Sequence, residues 1–329
     1  MKIEGYKMFK FIQSVALFFF FSISNAQIQS DPEIPWVRIE QEFSQGGSWE
    51  LHLLPTQDEL YVPIGLVRPS GDGPYPIILI GSGQGRMGID KIQNQMELQR
   101  GLMSRLVDRG YAAAFINFRN EVPELYNEVQ GSTLLFDNVS GGNRTLRSRA
   151  SLDSDDFISI IEHVGRLSYI NADAVGAIGS SHSGEIIMKA VSDSDLLAAA
   201  VPAEAAVREY LLINDAEAPR DESGTELQLQ DVNYVRTLAN RDGAMERIQR
   251  INTPLLIMGR DDDHLQGVFT LLYEWSNEAG KDVTWSSYDH YEHGYALLRN
   301  LSDGTFRPDA IQEQAFAEYM EFFNAHLQQ

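Results

Sequence analysis

The sequence contains no cysteine among its 329 residues. This absence excludes disulfide bonds, a thiol nucleophile and a zinc site with cysteine ligands. The stability of the protein must therefore come from a conventional hydrophobic core, which a chain of this length can supply.

Basic residues are scarce. The sequence has 26 Lys and Arg residues against 47 Asp and Glu residues, which gives a formal net charge of −21. So acidic a surface repels phosphate groups, and we therefore expect neither nucleic acid nor an anionic membrane as a partner. The charge does not identify a substrate, because solvated helix faces would give the same composition.

Long apolar runs are also rare, and the most prominent lies near the start. A short basic segment precedes the run Phe11–Ile23, and the small residues Ser24 and Ala26 follow it. This pattern is typical of a signal peptide. A membrane anchor is the alternative, but the run is shorter than the ~20 residues that a membrane-spanning helix needs. We therefore predict that residues 1–26 are a signal peptide cleaved near Ala26. The protein would then be exported, to the periplasm or the medium, without a stable membrane anchor.

Residues 27–329 contain no linker, repeat or low-complexity tract, which favours a single domain. The segments "WVRIEQEF" and "SWELHLLP" alternate as antiparallel edge strands do. Short apolar runs such as "YPIILIG" then alternate with helical patterns. The predicted fold class is α/β, with a mostly parallel doubly wound sheet, antiparallel N-terminal edge strands and helices on both faces. Ligands bind such sheets beyond the carboxyl ends of the strands.

The stretch "GAIGSSHSGE" contains three serines in a tight turn between a strand and a helix. A serine nucleophile in such a turn needs small residues two positions before and two positions after it. Only Ser181 meets this condition, with Gly179 before it and Ser183 after it. The alternative is a purely structural turn.

An acidic partner is expected after a later strand, because the order in this kind of site is serine, acid, histidine. The segment "LLIMGRDDDH" offers Asp261, Asp262 and Asp263. In the common arrangement the strand is followed by a glycine, two residues and the acidic residue. Counting from Gly259, this position is Asp262. Any of the three could instead cap the helix that follows.

The base is expected after the last strand, in "YDHYEHGYALL". His293 precedes a glycine and an aromatic residue in a loop, and His290 is the rival closer to the strand. We predict that His293 takes the proton of Ser181 and that Asp262 fixes its tautomer. The backbone N–H groups of His182 and Ser82 are the predicted donors to the oxyanion.

Residues 83–88 also fit the pattern G-x-G-x-x-G of dinucleotide-binding sites. That site requires an acidic residue about 20 positions on, at the end of the next strand. The next strand ends instead in Asn117, Arg119 and Asn120. We therefore predict that no nucleotide binds at this loop. The sequence also predicts no other cofactor and no metal.

The motifs "GPYPIILIGSGQG", "LVDRGYAAAFINFR", "NADAVGAIGSSHSGE", "TPLLIMGRDDD" and "EHGY" resemble, in order and spacing, the α/β-hydrolase superfamily. The likeness is greatest to its dienelactone hydrolase and prolyl oligopeptidase-type branch. The resemblance implies an α/β-hydrolase fold and a triad of Ser181, Asp262 and His293. The chain departs from the family pattern at Ile80, where a histidine is usual, and at Ser183, where a glycine is usual. The sequence before Pro69 is also too short for the propeller domain of the oligopeptidases.

Together these features predict a serine hydrolase that cleaves a carboxylic ester through an acyl-enzyme intermediate. Its substrate would be a small-molecule ester or an acylated saccharide. The alternatives are a small exopeptidase or amidase with the same triad, and a non-catalytic binding protein. Segments 120–150 and 207–231 are predicted as lids over the substrate pocket, and the alternative is that both are ordinary excursions of the chain. The sequence does not indicate an oligomeric state.

Overall fold

The computed structural model describes residues 27–30, 35–56, 61–83, 88–118 and 149–328. The predicted signal peptide and nearly all of the predicted lid 120–150 lie outside these residues. The described chain is built around one sheet. Its ten strands are β1 (Gln27–Ser30), β2 (Pro35–Glu42), β3 (Ser48–Pro55), β4 (Tyr61–Val67), β5 (Tyr75–Gly81), β6 (Ala112–Ile116), β7 (Ile170–Ser180), β8 (Ala199–Ala203), β9 (Leu255–Arg260) and β10 (Val283–Tyr288).

The strand order is β1-β2-β3-β4-β6-β5-β7-β8-β9-β10. Strands β1 to β4 pair antiparallel, and β4 also pairs antiparallel with β6. All neighbours from β6 to β10 run parallel. The predicted antiparallel N-terminal strands and mostly parallel sheet are thus confirmed. The loops after β5, β7, β8 and β9 consequently lie at one edge of the sheet.

Helices cover both faces of the sheet. They are α1 (Gly88–Leu98), α2 (Arg100–Val107), α3 (Arg149–Gly165), α4 (His182–Asp193), α5 (Val232–Leu238), α6 (Arg241–Gln249), α7 (Gln266–Glu278) and α8 (Ala310–Leu327). Side chains of β5 alternate between two cores, since Ile77 and Leu79 pack with α3 and α4 while Ile78 and Ile80 pack with α1, α2 and α8. The predicted fold class is therefore confirmed.

Among the described helices, none is both long enough and apolar enough for a membrane crossing.

The periodicity of 91–110 predicts one helix, but the structure forms two, α1 and α2, which break at Gln99. The break coincides with a contact from a distant part of the chain. The Asn300 N–H donates to the Leu98 carbonyl at 2.6 Å, and the Gly101 N–H donates to Asn300 Oδ1 at 3.1 Å. Because this partner lies about 200 residues away in sequence, the local pattern cannot reveal the break.

A buried polar cluster joins the antiparallel strands to α3. His52 Nδ1 lies 3.1 Å from His163 Nε2, and His52 Nε2 lies 2.9 Å from Glu50 Oε2. Trp36 packs on both imidazole rings, with ring centroids 4.7 and 4.8 Å away. Burial lowers the pKa of His163 to about 3 and also lowers the pKa of His52. Both rings are therefore held uncharged.

Candidate active site

Ser181 lies at the sharp turn from β7 into α4, with φ 57° and ψ −118°. A non-glycine residue adopts a positive φ only where its surroundings impose it. Here the Ser181 N–H donates to the Ala203 carbonyl at 3.1 Å, and the Ala206 N–H donates to the Ser181 carbonyl at 3.0 Å. The β8 strand end thus holds the predicted nucleophile in a strained turn.

The glycines around this turn allow α4 to approach the sheet closely. A Cβ at Gly179 would lie 2.7 Å from Ile187 Cδ1 and 2.9 Å from the Ser183 carbonyl carbon. A Cβ at Gly184 would lie 2.6 Å from Ala205 Cβ. The structure therefore requires a small residue at position 179, which is the steric condition that selected Ser181 from the sequence.

His293 lies in the loop after β10 and faces two buried carboxylates. Its Nδ1 atom is 3.2 Å from Glu204 Oε1 and 3.6 Å from Asp263 Oδ2. Both acidic side chains are fully buried, whereas 39% of the His293 side chain is exposed. With Nδ1 turned toward the carboxylates, Nε2 is the nitrogen left for a substrate or a nucleophile.

The rival His290 has a different environment. Its Nε2 atom lies 2.9 Å from Asp309 Oδ2, and only 2% of its side chain is exposed. Asp309 is also the N-cap of α8. His290 therefore links the last loop to the last helix, away from the two carboxylates that His293 contacts.

The sequence prediction of Asp262 as the acid differs from the structure. Asp262 is exposed, occupies a positive φ of 58° and forms no ion pair with His293 in the described chain. The reason is that β9 continues to Arg260, which pairs with Tyr288 of β10, so that the turn begins one residue later than the count from Gly259 assumes. Asp263, an alternative left open by the sequence, is the aspartate beside His293.

Asp261 also lies away from His293. Its N–H donates to the Tyr288 carbonyl at 2.9 Å, and its carboxylate accepts from the Ser287 hydroxyl. Asp261 therefore fastens the end of β9 to β10.

Glu204 was missed by the sequence analysis. It is the first residue after β8, with a φ of 43°, and its N–H donates to the Met258 carbonyl at 2.7 Å. Its Oε2 atom accepts from the Gly294 N–H at 2.6 Å, so it also fixes the loop that carries His293. An acidic residue directly after the buried strand "AAVPA" was the available signal, because that strand end meets the ends of β7 and β9 at the same edge.

The two carboxylates set the charge of the histidine. The interactions with Asp263 and then with Glu204 raise the pKa of His293 to about 9. Burial of the ring acts in the opposite direction and would lower the pKa. Burial alone would raise the pKa of Asp263, but the interactions with His293, the Leu265 N–H and nearby cations together lower it. At neutral pH the resting site is therefore an imidazolium paired with a carboxylate.

Glu204, Asp263 and His293 are also close enough to ligate a metal ion. However, Arg260 Nε donates to Glu204 Oε1 at 3.1 Å and to Asp263 Oδ2 at 3.0 Å. These are the oxygen atoms that face His293. A divalent cation there would meet the guanidinium charge, so the donor set suits an ion-pair network better than a metal.

The two predicted oxyanion donors border Ser181. His182 begins α4, where the first N–H groups lack partners within the helix. Its side chain points to Asp153, with Nε2 2.7 Å from Oδ2. Ser82 follows β5, and its carbonyl accepts from the Ser183 hydroxyl. The role of both N–H groups remains a prediction.

The nucleophile turn and the histidine loop are neighbours. A Cβ at Gly294, in the histidine loop, would lie 3.4 Å from Ser180 Oγ. The loop after β5 is also near, since a Cβ at Gly83 would lie 3.8 Å from Ser181 Oγ. In the described chain no hydrogen bond joins the Ser181 hydroxyl to His293. Such contacts are often loose without substrate and tighten when it binds.

Solved structures similar to this chain include two peptidases and an esterase. The acylaminoacyl peptidase of Pyrococcus horikoshii is 16% identical, with a TM-score of 0.54 over 90% of this chain and 48% of its own. Dipeptidyl peptidase 4 of Porphyromonas gingivalis is 13% identical, with a TM-score of 0.56 over 92% of this chain and 43% of its own. Esterase Est22 is 17% identical, with a TM-score of 0.54 over 84% of this chain and 81% of its own. The chain has the α/β-hydrolase fold.

The chain spans about half the length of the two peptidases. No protein-family model matches the sequence, and the comparison with curated proteins gave no match either. The α/β-hydrolase fold implied by the sequence motifs is therefore confirmed through structure.

In this α/β-hydrolase fold, the predicted lid 207–231 packs beside the turn after β9, which carries Asp263. The Leu229 N–H donates to the His264 carbonyl at 2.6 Å, and Glu226 Oε1 lies 4.0 Å from His264 Nε2. The Tyr210 N–H donates to Glu185 Oε1 on α4 at 2.7 Å. The segment thus contacts both the turn after β9 and helix α4, and its role as a lid remains a prediction.

Proposed function

We propose that this protein is an exported serine hydrolase that cleaves a carboxylic ester. The observation that carries the proposal is the strained Ser181 at the turn into α4, next to the loop of a histidine whose Nδ1 atom faces two buried carboxylates. A serine becomes nucleophilic only with such a base and an orienting acid.

Acylation would begin when Ser181 Oγ attacks the ester carbonyl while its proton moves to His293 Nε2. Asp263 and Glu204 stabilise the imidazolium through Nδ1. The tetrahedral oxyanion accepts hydrogen bonds from backbone N–H groups of the elbow and of the loop after β5. Its collapse breaks the bond to the alcohol oxygen, which leaves with the proton from Nε2.

Deacylation would repeat these steps with water. His293 Nε2 takes a proton from the water molecule, whose oxygen attacks the acyl carbon and forms a second oxyanion. Collapse breaks the bond to Ser181 Oγ, which recovers its proton from His293. The acid is released and the enzyme returns to its starting state.

An exopeptidase or amidase is the second candidate. It is favoured by two structural matches. The match to an acylaminoacyl peptidase covers 90% of this chain, and the match to a dipeptidyl peptidase covers 92%. The ester proposal is favoured by the more balanced match to esterase Est22, which covers 84% of this chain and 81% of that one. A panel of acyl esters, sugar acetates and aminoacyl amides would rank the two functions by kcat/KM.

The proposal is tested with the protein expressed from its full sequence in a bacterial host. We expect hydrolysis of short-chain p-nitrophenyl esters and covalent labelling by a fluorophosphonate probe. Ser181→Ala should abolish both, whereas Ser180→Ala, which changes the adjacent hydroxyl, should retain both. An enzyme without esterase activity and without labelling would overturn the proposal. Mass spectrometry of the exported protein should find a new N-terminus near Gln27.

A further inference from the structure

Ser183 occupies a position that the triad does not explain. It is the second residue of α4, is only 1% exposed and donates a hydrogen bond to the Ser82 carbonyl oxygen. This bond joins the nucleophile helix to the loop after β5.

Two glycines leave room for this side chain. A Cβ at Gly81 would lie 2.6 Å from Ser183 Oγ, and a Cβ at Gly179 would lie 2.9 Å from Ser183 Cβ. Distances this short are closer than van der Waals contact allows. The ends of β5 and β7 are therefore shaped to admit a serine at position 183.

The hydrogen bond fixes the orientation of one peptide group. In a planar trans peptide the carbonyl and the N–H point in opposite directions. With its carbonyl held by Ser183, the peptide between Ser82 and Gly83 directs the Gly83 N–H away from Ser183. Gly83 itself borders the nucleophile, since a Cβ there would lie 3.5 Å from Ser181 Cβ and 3.8 Å from Ser181 Oγ.

The following carbonyl is held as well. The Gly83 oxygen accepts from Lys91 Nζ at 3.1 Å and from Ser82 Oγ at 3.2 Å. Lys91 is buried and comes from α1. Two successive carbonyls of this loop are thus bound by side chains, which limits rotation of the peptide between them.

We infer that Ser183 is a positioning residue that holds the Gly83 N–H toward the oxyanion of the reaction. The second oxyanion donor is then Gly83 rather than the Ser82 N–H expected from the sequence. This inference depends on the proposed hydrolase function. It gives the serine that replaces the usual glycine of the family motif a specific task in catalysis.

Ser183→Ala tests the inference, because it removes only the hydroxyl. Losing an oxyanion donor costs about 10²- to 10³-fold in kcat, so misplacing one should lower kcat about 10- to 100-fold with little change in KM. The affinity for a boronic acid inhibitor, whose tetrahedral adduct places an oxygen at the oxyanion position, should fall in parallel with kcat/KM.

A second measurement separates positioning from folding. Sulfur accepts weaker hydrogen bonds than oxygen, so an intact oxyanion site favours an oxoester over the matching thionoester. Ser183→Ala should reduce this preference. The control is Ser192→Ala, which removes another buried hydroxyl of α4 whose bonds go to the Met188 carbonyl and to Tyr210. The control should lower Tm and leave the preference unchanged.

Equal losses on both esters, or unchanged kcat, would overturn the inference. Ser183→Gly provides the same test if the alanine variant does not fold. A wild-type protein that neither hydrolyses esters nor reacts with a fluorophosphonate would instead contradict the proposed function. A failure of the inference therefore differs from a failure of the proposed function.

Discussion

Glu204 and Asp263 approach the same nitrogen of His293, but their remaining oxygen atoms have different partners. Glu204 Oε2 accepts from the Gly294 N–H at 2.6 Å, whereas Asp263 Oδ1 accepts from the Leu265 N–H at 2.7 Å. Glu204 is therefore fastened to the histidine loop and Asp263 to its own turn. Each carboxylate orients the imidazole from a different element, and the loss of one leaves the other in place.

The first prediction compares neighbouring aspartates. Asp263→Asn should lower kcat/KM about 10- to 100-fold. This loss is smaller than in an enzyme whose histidine has only one orienting acid, because Glu204 still faces Nδ1. Asp262→Asn changes an exposed side chain without an ion pair to His293, and we expect kcat/KM within about twofold of wild type. The measurement is ester hydrolysis by both variants. A larger loss for Asp262→Asn than for Asp263→Asn would restore Asp262 as the acid.

The second prediction concerns pH. His293 acts as a base only when neutral, and its neighbours raise its pKa to about 9. We therefore expect kcat/KM to rise about tenfold per pH unit below that value and to level off above it. Glu204→Gln removes one negative charge, so the imidazolium loses stabilisation and the midpoint should move to lower pH. A pH–rate profile with an unmoved midpoint would contradict the contact between Glu204 and His293.

At the scale of elements, α4 reaches the sheet because glycines replace side chains where it approaches. Gly179 lies in β7 and Gly184 lies in the first turn of the helix, against Ala205 after β8. The helix start, the nucleophile and Glu204 therefore share one tightly packed region. A shift of α4 would move Ser181 relative to the strand end that carries Glu204.

The third prediction tests this packing. Gly184→Ala would place a Cβ 2.6 Å from Ala205 Cβ and 2.8 Å from Ala205 Cα. Overpacking of this kind costs about 1–3 kcal/mol. Urea unfolding should show the loss, and kcat should fall because the elbow must shift. Ala205→Gly removes the nearer atom, so the double variant should recover part of the stability. Additive losses would show that the two residues do not touch.

Several elements of the site could be predicted from local patterns. The apolar runs mark β5 to β9, and the steric limits of the turn single out Ser181. The acid could not be settled, because the end of β9 depends on the pairing of Arg260 with Tyr288 in β10. The place of Glu204 depends likewise on which strands are neighbours in the sheet. Such facts come from pairing between distant segments, which local periodicity does not contain.

At the scale of the whole molecule, the antiparallel strands are attached to the helical layer through buried histidines. His52 on β3 contacts His163 on α3, and Glu50 and Trp36 complete the cluster. Burial holds the pKa of His163 near 3, far below its ordinary value of 6.5. In the unfolded chain the ring titrates at its ordinary value, so the two states bind protons differently over a wide acidic range.

The fourth prediction follows from this difference. Between pH 6.5 and about 3 the unfolded chain binds a proton at His163 that the folded chain does not, so the free energy of unfolding should fall as the pH falls. At pH 5 this one group would account for about 2 kcal/mol. His163→Gln removes the titrating group. Its unfolding free energy, measured in urea from pH 7 to pH 5, should therefore change less than that of wild type, even if the variant is less stable at every pH.

The matched control is His326→Gln, which changes a partly exposed histidine of α8 and should keep the wild-type pH dependence. If both variants show the wild-type dependence of unfolding free energy on pH, the prediction is wrong. His163 would then bind a proton in the folded chain as readily as in the unfolded chain.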